Sequence, residues 1–256
     1  MELEISGKRA LVLGASRGLG RAIAEGLAKE GAVVFAAARS LDKIEQWSAG
    51  MENVHPVQLD LGDPSQVNAV VDQLLEDQGV DIIVNNGGGP PPGTAQSAAR
   101  EDWVSHFEAM AANLFHMTNR LLPKMKERGW GRIISITSSG VEQPIPNLAL
   151  SNGIRSAVVG WSKTLANEVA GDGITVNVVM PGRIHTERVD ELDAAASKRT
   201  DTPVAEVAEK SRATIPAGRY GKPEEFADVV TFLASERASY VTGSKIRIDG
   251  GAIKSI

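Results

Sequence analysis

The 256-residue chain contains no cysteine, which excludes disulfides, thiolate metal sites and cysteine nucleophiles. Aromatic residues are scarce, 4% of the chain, and only Tyr220 and Tyr240 carry a phenol. No apolar run approaches the roughly 18 residues that span a bilayer. The opening stretch MELEISGKRALVLG lacks the basic start and long apolar core of a secretory leader. No membrane partner and a cytoplasmic location are therefore expected. Excess positive charge is missing too: 27 Lys and Arg stand against 32 Asp and Glu, for a net charge of −5. With both signs interspersed, a nucleic-acid partner is not expected. No linker, heptad run, repeat or low-complexity segment divides the chain, and 42% hydrophobic content is ample for a core. The expectation is one domain over residues 1–256.

What is present is an alternation. Short apolar, β-rich runs at Arg9–Leu13, Val33–Ala37, Val54–Leu59, Asp81–Asn85, Arg132–Thr137, Thr175–Met180 and Ser244–Asp249 read as strands buried on both faces. Helix-length segments lie between them: Leu19–Glu30, Pro64–Asp77, Trp103–Glu127, Ile154–Ala170 and Pro223–Ala234. The segment LSNGIRSAVVGW, Leu150–Trp161, also has helical spacing. This order predicts an α/β fold with a doubly wound parallel sheet and right-handed crossovers. One connection, Arg183–Gly218, is about twice the ordinary length. It is polar and helix-prone, and is read as a helical lid near residues 185–215, at the carboxyl edge of the sheet where ligands bind.

GASRGLG, residues 14–20, follows the first strand directly and opens a helix. Gly14, Gly18 and Gly20 let the backbone approach a pyrophosphate, with Ser16, Arg17 and Leu19 in the same turn, and the helix start offers free N–H groups to its charge. The next strand follows at the spacing of a dinucleotide-binding unit. It ends in Ala38-Arg39 where an acidic residue would read the ribose 2′-hydroxyl of NAD. Arg39 and Arg17 instead suit a 2′-phosphate, so the expected cofactor is NADP(H).

With these residues in view, the chain resembles the short-chain dehydrogenase/reductase family almost end to end. The resemblance is carried by GASRGLG (14–20), LDL (59–61), NNGG (85–88), GRIISITSS (131–139), GITVNVVMPG (173–182), GRYGKPEE (218–225) and YVTGSKIRIDGG (240–251). It implies a Rossmann-like seven-stranded sheet with helices on both faces, in a homotetramer or homodimer. By carry-over, Asp60 and Leu61 hold the adenine, and Asn86 with Gly87 the adenosine-side ribose. Pro181 and Gly182 with Ile184 meet the nicotinamide carboxamide. Leu13 replaces the Thr that often precedes the first glycine, which is read as a packing change.

The resemblance breaks at the catalytic positions. The family pairs a Ser after the fifth strand with Tyr-x-x-x-Lys on the next helix and an Asn on the helix before. Counting from the shared landmarks, Ser138 falls on the Ser, Ser151 on the Tyr, Arg155 on the Lys and Met110 on the Asn. Asn113, one turn on, is a partial substitute for the Asn or a packing residue. The chain thus resembles a divergent member lacking the Tyr-x-x-x-Lys pair. A serine hydroxyl donates a hydrogen bond but is a far weaker acid than a phenol, whose pKa is about 10. Arg155 stays charged and cannot relay a proton, yet suits a ribose and nearby negative charge. Ser151 and Arg155 are an i,i+4 pair on one helix face.

Three readings stay open. In the first, hydride from NADPH reaches a carbonyl or conjugated enone of a small molecule. The oxyanion is held by Ser138, Ser151 and Arg155, and the proton comes from water or His185. An enone suits this best, because its enolate is stabilised first and protonated at carbon afterwards. The second is a conventional 3-oxoacyl (acyl-carrier-protein type) ketoreductase, and the third a weak or inactive NADP(H)-binding sensor or partner protein. Asp172 and Gly129 stand where carrier-protein enzymes place basic residues, which weakens the second. Lys198, Arg199, Lys210 and Arg212 on the lid suit an anionic small molecule or are solvated helix charges. GGGPPPGTAQ, Gly87–Gln96, is a stiff run that walls the pocket or forms a surface turn. Trp103, Phe107, Phe115 and Trp161 are expected in the core.

Overall fold

The computed structural model describes residues 2–255. Seven parallel strands form one sheet in the order β3-β2-β1-β4-β5-β6-β7. They are β1 Arg9–Leu13, β2 Val33–Ala38, β3 Val54–Gln58, β4 Ile82–Asn85, β5 Gly131–Ile136, β6 Ile174–Pro181 and β7 Lys245–Ile248. The chain winds outward from β1 to β3, returns to β4 on the other side of β1, and winds outward again. Connections diverge between β1 and β4, and in such sheets a crevice opens at the carboxyl end of that switch point.

The helices α1 Gly18–Lys29, α2 Leu41–Ser48, α3 Pro64–Glu76, α4 Arg100–Phe107, α5 Asn113–Arg128, α6 Ala149–Val169, α7 Glu187–Thr200, α8 Val204–Ala213 and α9 Pro223–Leu233 complete the order. One sheet face packs under α1 and α9, with Ile23, Leu27, Phe226 and Val230 buried against Val12, Val34 and Val179. The other packs under α3, α5 and α6 through Val67, Met117, Leu121 and Leu165 against Leu11, Ile83 and Ile133. Each face thus removes a continuous apolar surface from water, the main favourable term in folding.

The doubly wound α/β fold, the seven strands and the helical lid agree with the sequence reading. Burial on both faces holds for β1, β4, β5 and β6 but not for the edges: all of β7, and all of β3 after Val54, is partly or fully exposed. The helix expected over Trp103–Glu127 is two helices joined by a π-helical turn, Glu108–Ala112, which inserts an extra residue that periodicity does not register. The helix expected from Ile154, with helical spacing read from Leu150, starts at Ala149, and Leu148 precedes it with no capping side chain. Of the aromatic residues expected in the core, Trp103 packs against α6, and Phe115 and Trp161 stack at 4.3 Å. Phe107 does not: it is 40% exposed on the outer face of α4.

Arg132 anchors the amino end of β5. Its guanidinium is buried and donates to the carbonyls of Ser235, Gly131 and Gly173 and to Glu236 at 3.0 Å, while lying over the Trp130 ring. Burial pushes its pKa down and the Glu236 charge opposes that shift. Replacing it leaves three carbonyls without this donor. Arg132→Met is expected to lower stability by about 2–4 kcal/mol in urea unfolding; a midpoint unchanged from wild type would contradict this.

Candidate active site

The glycine turn sits where β1 meets α1. An added Cβ at Gly14 would lie 2.6 Å from the Asn86 carbonyl and 2.8 Å from its side-chain nitrogen, and one at Gly20 would run into the Gly14 carbonyl. Gly14 and Gly20 are therefore required by packing within the fold. Asn86 closes the arrangement by donating to the Leu13 carbonyl at 3.2 Å. Gly18, at φ +56°, has only the Thr186 side chain, 3.5 Å away, near its missing Cβ. The first turn of α1 has neither a capping side chain nor an acidic residue, so its N–H groups and positive pole are available to an anion. Trp47 of α2 steadies the turn by donating to the Ala15 carbonyl at 3.1 Å.

The two arginines differ. Arg39 is exposed and makes no hydrogen bond or ion pair among the described residues. Arg17 is engaged by the lid: its guanidinium binds Glu187 at 3.1 Å and Glu191 at 2.8 Å, which raises its pKa. These carboxylates stand one turn apart on α7, an i,i+4 spacing visible in the sequence, but nothing local indicates a partner 170 positions away. Across the crevice, the Asp60 carboxylate accepts from the Gly62 amide. The Leu61 carbonyl accepts from Asn113 at 2.7 Å. Asn113 is buried, and this bond ties the start of α5 to the loop after β3. Met110 is buried in an apolar cluster with Leu150, Ile154 and Val158.

The opposite wall is made by β5, α6 and β6. Ser138 follows β5 in an extended conformation, and its Oγ accepts from the Gly140 amide at 3.1 Å. That bond leaves its O–H free to donate outward. Arg155, one turn beyond Ser151 on α6, donates to the Ile136 carbonyl at 2.9 Å. This brings its guanidinium to the carboxyl end of β5, two residues before Ser138. It is half-buried with no carboxylate partner, and burial lowers its pKa to about 10, so it remains a cation at neutral pH. Ser151 is buried, and its hydroxyl has no partner among the described residues. Gly182 is needed where β6 ends, since a Cβ there would lie 2.7 Å from Asp249. Ile184 is buried and its backbone bridges to Gly221, closing the root of the lid.

Sequence reasoning missed Asn152. Its amide binds the backbone of Ile145 on both sides, donating to the carbonyl at 2.9 Å and accepting from the N–H at 3.4 Å. It thereby clamps the loop between Ser138 and α6. The triple-proline run docks on the same loop, with Gly93 bridging to Leu148 and its N–H donating to the Asn147 carbonyl at 2.8 Å. It is therefore a wall beside the start of α6 rather than a free surface turn.

Neither tyrosine is a free acid here. Tyr220 donates to Asp193 at 2.7 Å inside the lid, and burial raises its pKa. Tyr240 is fully exposed ahead of β7, at the amino edge of the parallel sheet and so opposite the crevice. His185 is exposed, with its ring on Asp190 at 3.2 Å and beside Tyr220. Among the described residues, no group of His, Asp and Glu side chains is arranged to hold a metal, and no helix is long and apolar enough to cross a membrane.

A family model described as enoyl-(acyl carrier protein) reductase matches residues 14–252. The chain is 36% identical to the 3-oxoacyl-[acyl-carrier-protein] reductase FabG of Escherichia coli K12, over 97% of this chain and 98% of that protein. Among solved structures it is similar to the L-sorbose reductase of Gluconobacter frateurii complexed with NADPH and L-sorbose (TM-score 0.94, 35% identity, 100% of both chains). It is also similar to YwfH, an NADPH-dependent reductase involved in bacilysin biosynthesis (TM-score 0.93, 31% identity, 98% of this chain and 100% of that one). These matches span nearly the whole chain, and the chain belongs to the short-chain dehydrogenase/reductase family.

Proposed function

We propose that the protein is an NADP(H)-dependent reductase of a small conjugated carbonyl compound. The observation that carries this reading is the set of donors at the carboxyl end of β5. The Ser138 hydroxyl has its acceptor side satisfied by Gly140, and the Arg155 cation is held beside it on Ile136. Among the described residues, no phenol, imidazole or carboxyl group is bonded to either.

The residues present fit the dinucleotide. An uncapped helix start meets its pyrophosphate, Asp60 with Leu61 its adenine and Asn86 with Gly87 its ribose. The unpaired Arg39 suits a 2′-phosphate. Pro181, Gly182 and the backbone of Ile184 border the nicotinamide end, and Arg155 reaches the nicotinamide ribose. When bound, the cofactor supplies a hydride.

The chain's own groups then act on the substrate oxygen. Ser138 donates a hydrogen bond to it, with Ser151 as a second hydroxyl on the α6 side, and the Arg155 charge favours the anion that develops. Donors fixed in place where charge appears are the most effective stabilisers of such an intermediate. A ketone reduced here needs a proton on its alkoxide oxygen, and neither serine nor arginine is an acid of suitable strength at neutral pH. An enone reduced at its β-carbon passes through an enolate, which Ser138 and Arg155 hold until water protonates the α-carbon. His185 is less suited as the acid, since its hydrogen-bond partner is the lid residue Asp190.

The identity to FabG favours carrier-bound 3-oxoacyl thioesters as a second reading. Against it, Asp172 pairs with Lys126 at 3.0 Å, neutralising the nearby cation, and Gly129 supplies no charge.

NADPH oxidation with an enone and with its saturated ketone tests the reading. The enone is expected to react at least about tenfold faster, and Ser138→Ala to lower kcat by about a hundredfold with little change in NADPH affinity. Equal rates on both compounds would contradict it. For the cofactor, Arg39→Ser is expected to weaken NADPH about tenfold while leaving NADH unchanged. Glu187→Gln/Glu191→Gln frees Arg17 and should tighten NADPH a few-fold at low salt, an effect that fades as salt screens exposed charges. Fluorescence titration reads both, and a wild-type preference for NADH would overturn the assignment.

A further inference from the structure

Most of the fold's other buried or partly buried guanidinium groups face carboxylates. Arg132 faces Glu236 at 3.0 Å, Arg9 faces Asp77 at 2.8 Å, and Arg120 faces Asp72 at 2.6 Å. Two have no such partner among the described residues: Arg212, which lies over the Tyr220 ring within the lid, and Arg155 at the carboxyl end of β5. The one protein partner of Arg155 is the Ile136 carbonyl, and burial is the sole influence on its ionisation, with no charged neighbour opposing it. A cation withdrawn from water without a counter-ion is unfavourable unless something else neutralises it.

A second, independent observation lies one turn away. Ser151 is 9% exposed, and its hydroxyl has no protein partner among the described residues. Both side chains belong to the same face of α6, whose 21-residue length ends in a first turn with no acidic residue and no side-chain cap. The positive pole of that helix is therefore also uncompensated. Leu150 and Ile154, their neighbours in the chain, are buried with Met110 in an apolar cluster.

We infer that the substrate carries a carboxylate beside its conjugated carbonyl, and that Arg155 and Ser151 are the residues that seat it. The planar guanidinium fork matches the two oxygens of a carboxylate in a way that an ammonium does not, and Ser151 adds a hydroxyl donor on the same side. Only one N–H of Arg155 is committed to the protein, which leaves donors for a carboxylate as well as for a nucleotide hydroxyl. The substrate class is then a conjugated oxo acid, a free small molecule rather than a thioester. This rests on the reductase reading above, of which it specifies the substrate.

The test compares benzylidenepyruvate with its methyl ester in NADPH oxidation, and measures binding of phenylbutyrate to the enzyme–NADP⁺ complex by calorimetry. Wild type is expected to favour the acid over the ester by at least about tenfold in kcat/KM. Arg155→Lys retains a cation but loses the fork; at saturating NADPH it should bring acid and ester to similar kcat/KM values. Phenylbutyrate should bind the wild-type complex and bind more weakly to the Arg155→Lys and Ser151→Ala complexes. Thermal melting of Arg155→Met separates a binding role from a structural one: Tm should hold or rise, whereas a structural arginine would lower it.

If acid and ester are reduced equally by the wild type, the reductase reading stands and the carboxylate seat is wrong. If neither is reduced, the reductase reading fails for this class and calorimetry decides the seat. Phenylbutyrate binding that depends on Arg155 supports it; no binding, or binding indifferent to Arg155→Lys, overturns it.

Discussion

The crevice depends on one close contact, the packing of Asn86 against Gly14 and Gly20. Asn86 follows β4 and the glycines join β1 to α1, so this contact locks together the two strands between which the chain changes direction. A side chain at Gly14 would collide with Asn86, and one at Gly20 with the Gly14 carbonyl and Asn86, so neither fits without disturbing this contact. The glycine turn is thus explained twice. Gly14 and Gly20 are needed by the protein's own packing, and only Gly18 borders open space under the lid. That division matters for mechanism, because the exposed helix start, the unpaired Arg39 and the lid-bound Arg17 are arranged around a turn already fixed by the fold.

Charge placement shows where the fold departs from its own habits. Most buried or half-buried arginines are matched to carboxylates, as Arg132 is to Glu236 and Arg9 to Asp77. Arg155 is a departure at the crevice, and it lies on the same helix face as Ser151, whose hydroxyl has no protein partner among the described residues. In a marginally stable molecule, an unmatched charge of this kind is a cost that another contribution must offset. The proposed reading assigns that compensation to ligands: a nucleotide sugar, an oxyanion and a carboxylate. Asn152 and the triple-proline wall serve the same region by holding the loop from Ser138 to α6 in one conformation, so the donors need little rearrangement to act.

The alternation of strands and helices and the glycine turn between β1 and α1 were legible in the sequence because they rest on local signals. Apolar runs of strand length between helix-length segments, and a glycine turn between strand and helix, carry their meaning within a few residues. Three features were not legible, each for a physical reason. The π-helical turn at Glu108–Ala112 adds one residue to a helix without changing its composition. Arg17 looked free for a phosphate because Glu187 and Glu191 are distant in the chain and meet it only when the lid folds back. The isolation of Arg155 could not be read either, since a missing counter-ion is a property of the folded neighbourhood rather than of the residue.

The account turns on which substrate atom receives the hydride at a site furnished with hydroxyls and a permanent cation. The most direct measurement is to run the reaction on an enone with NADPH deuterated at the transferred position and to locate the label in the product by NMR. The account predicts deuterium on the carbon β to an intact carbonyl, with the α-carbon proton drawn from water. Deuterium on a carbinol carbon, with the double bond retained, would contradict it.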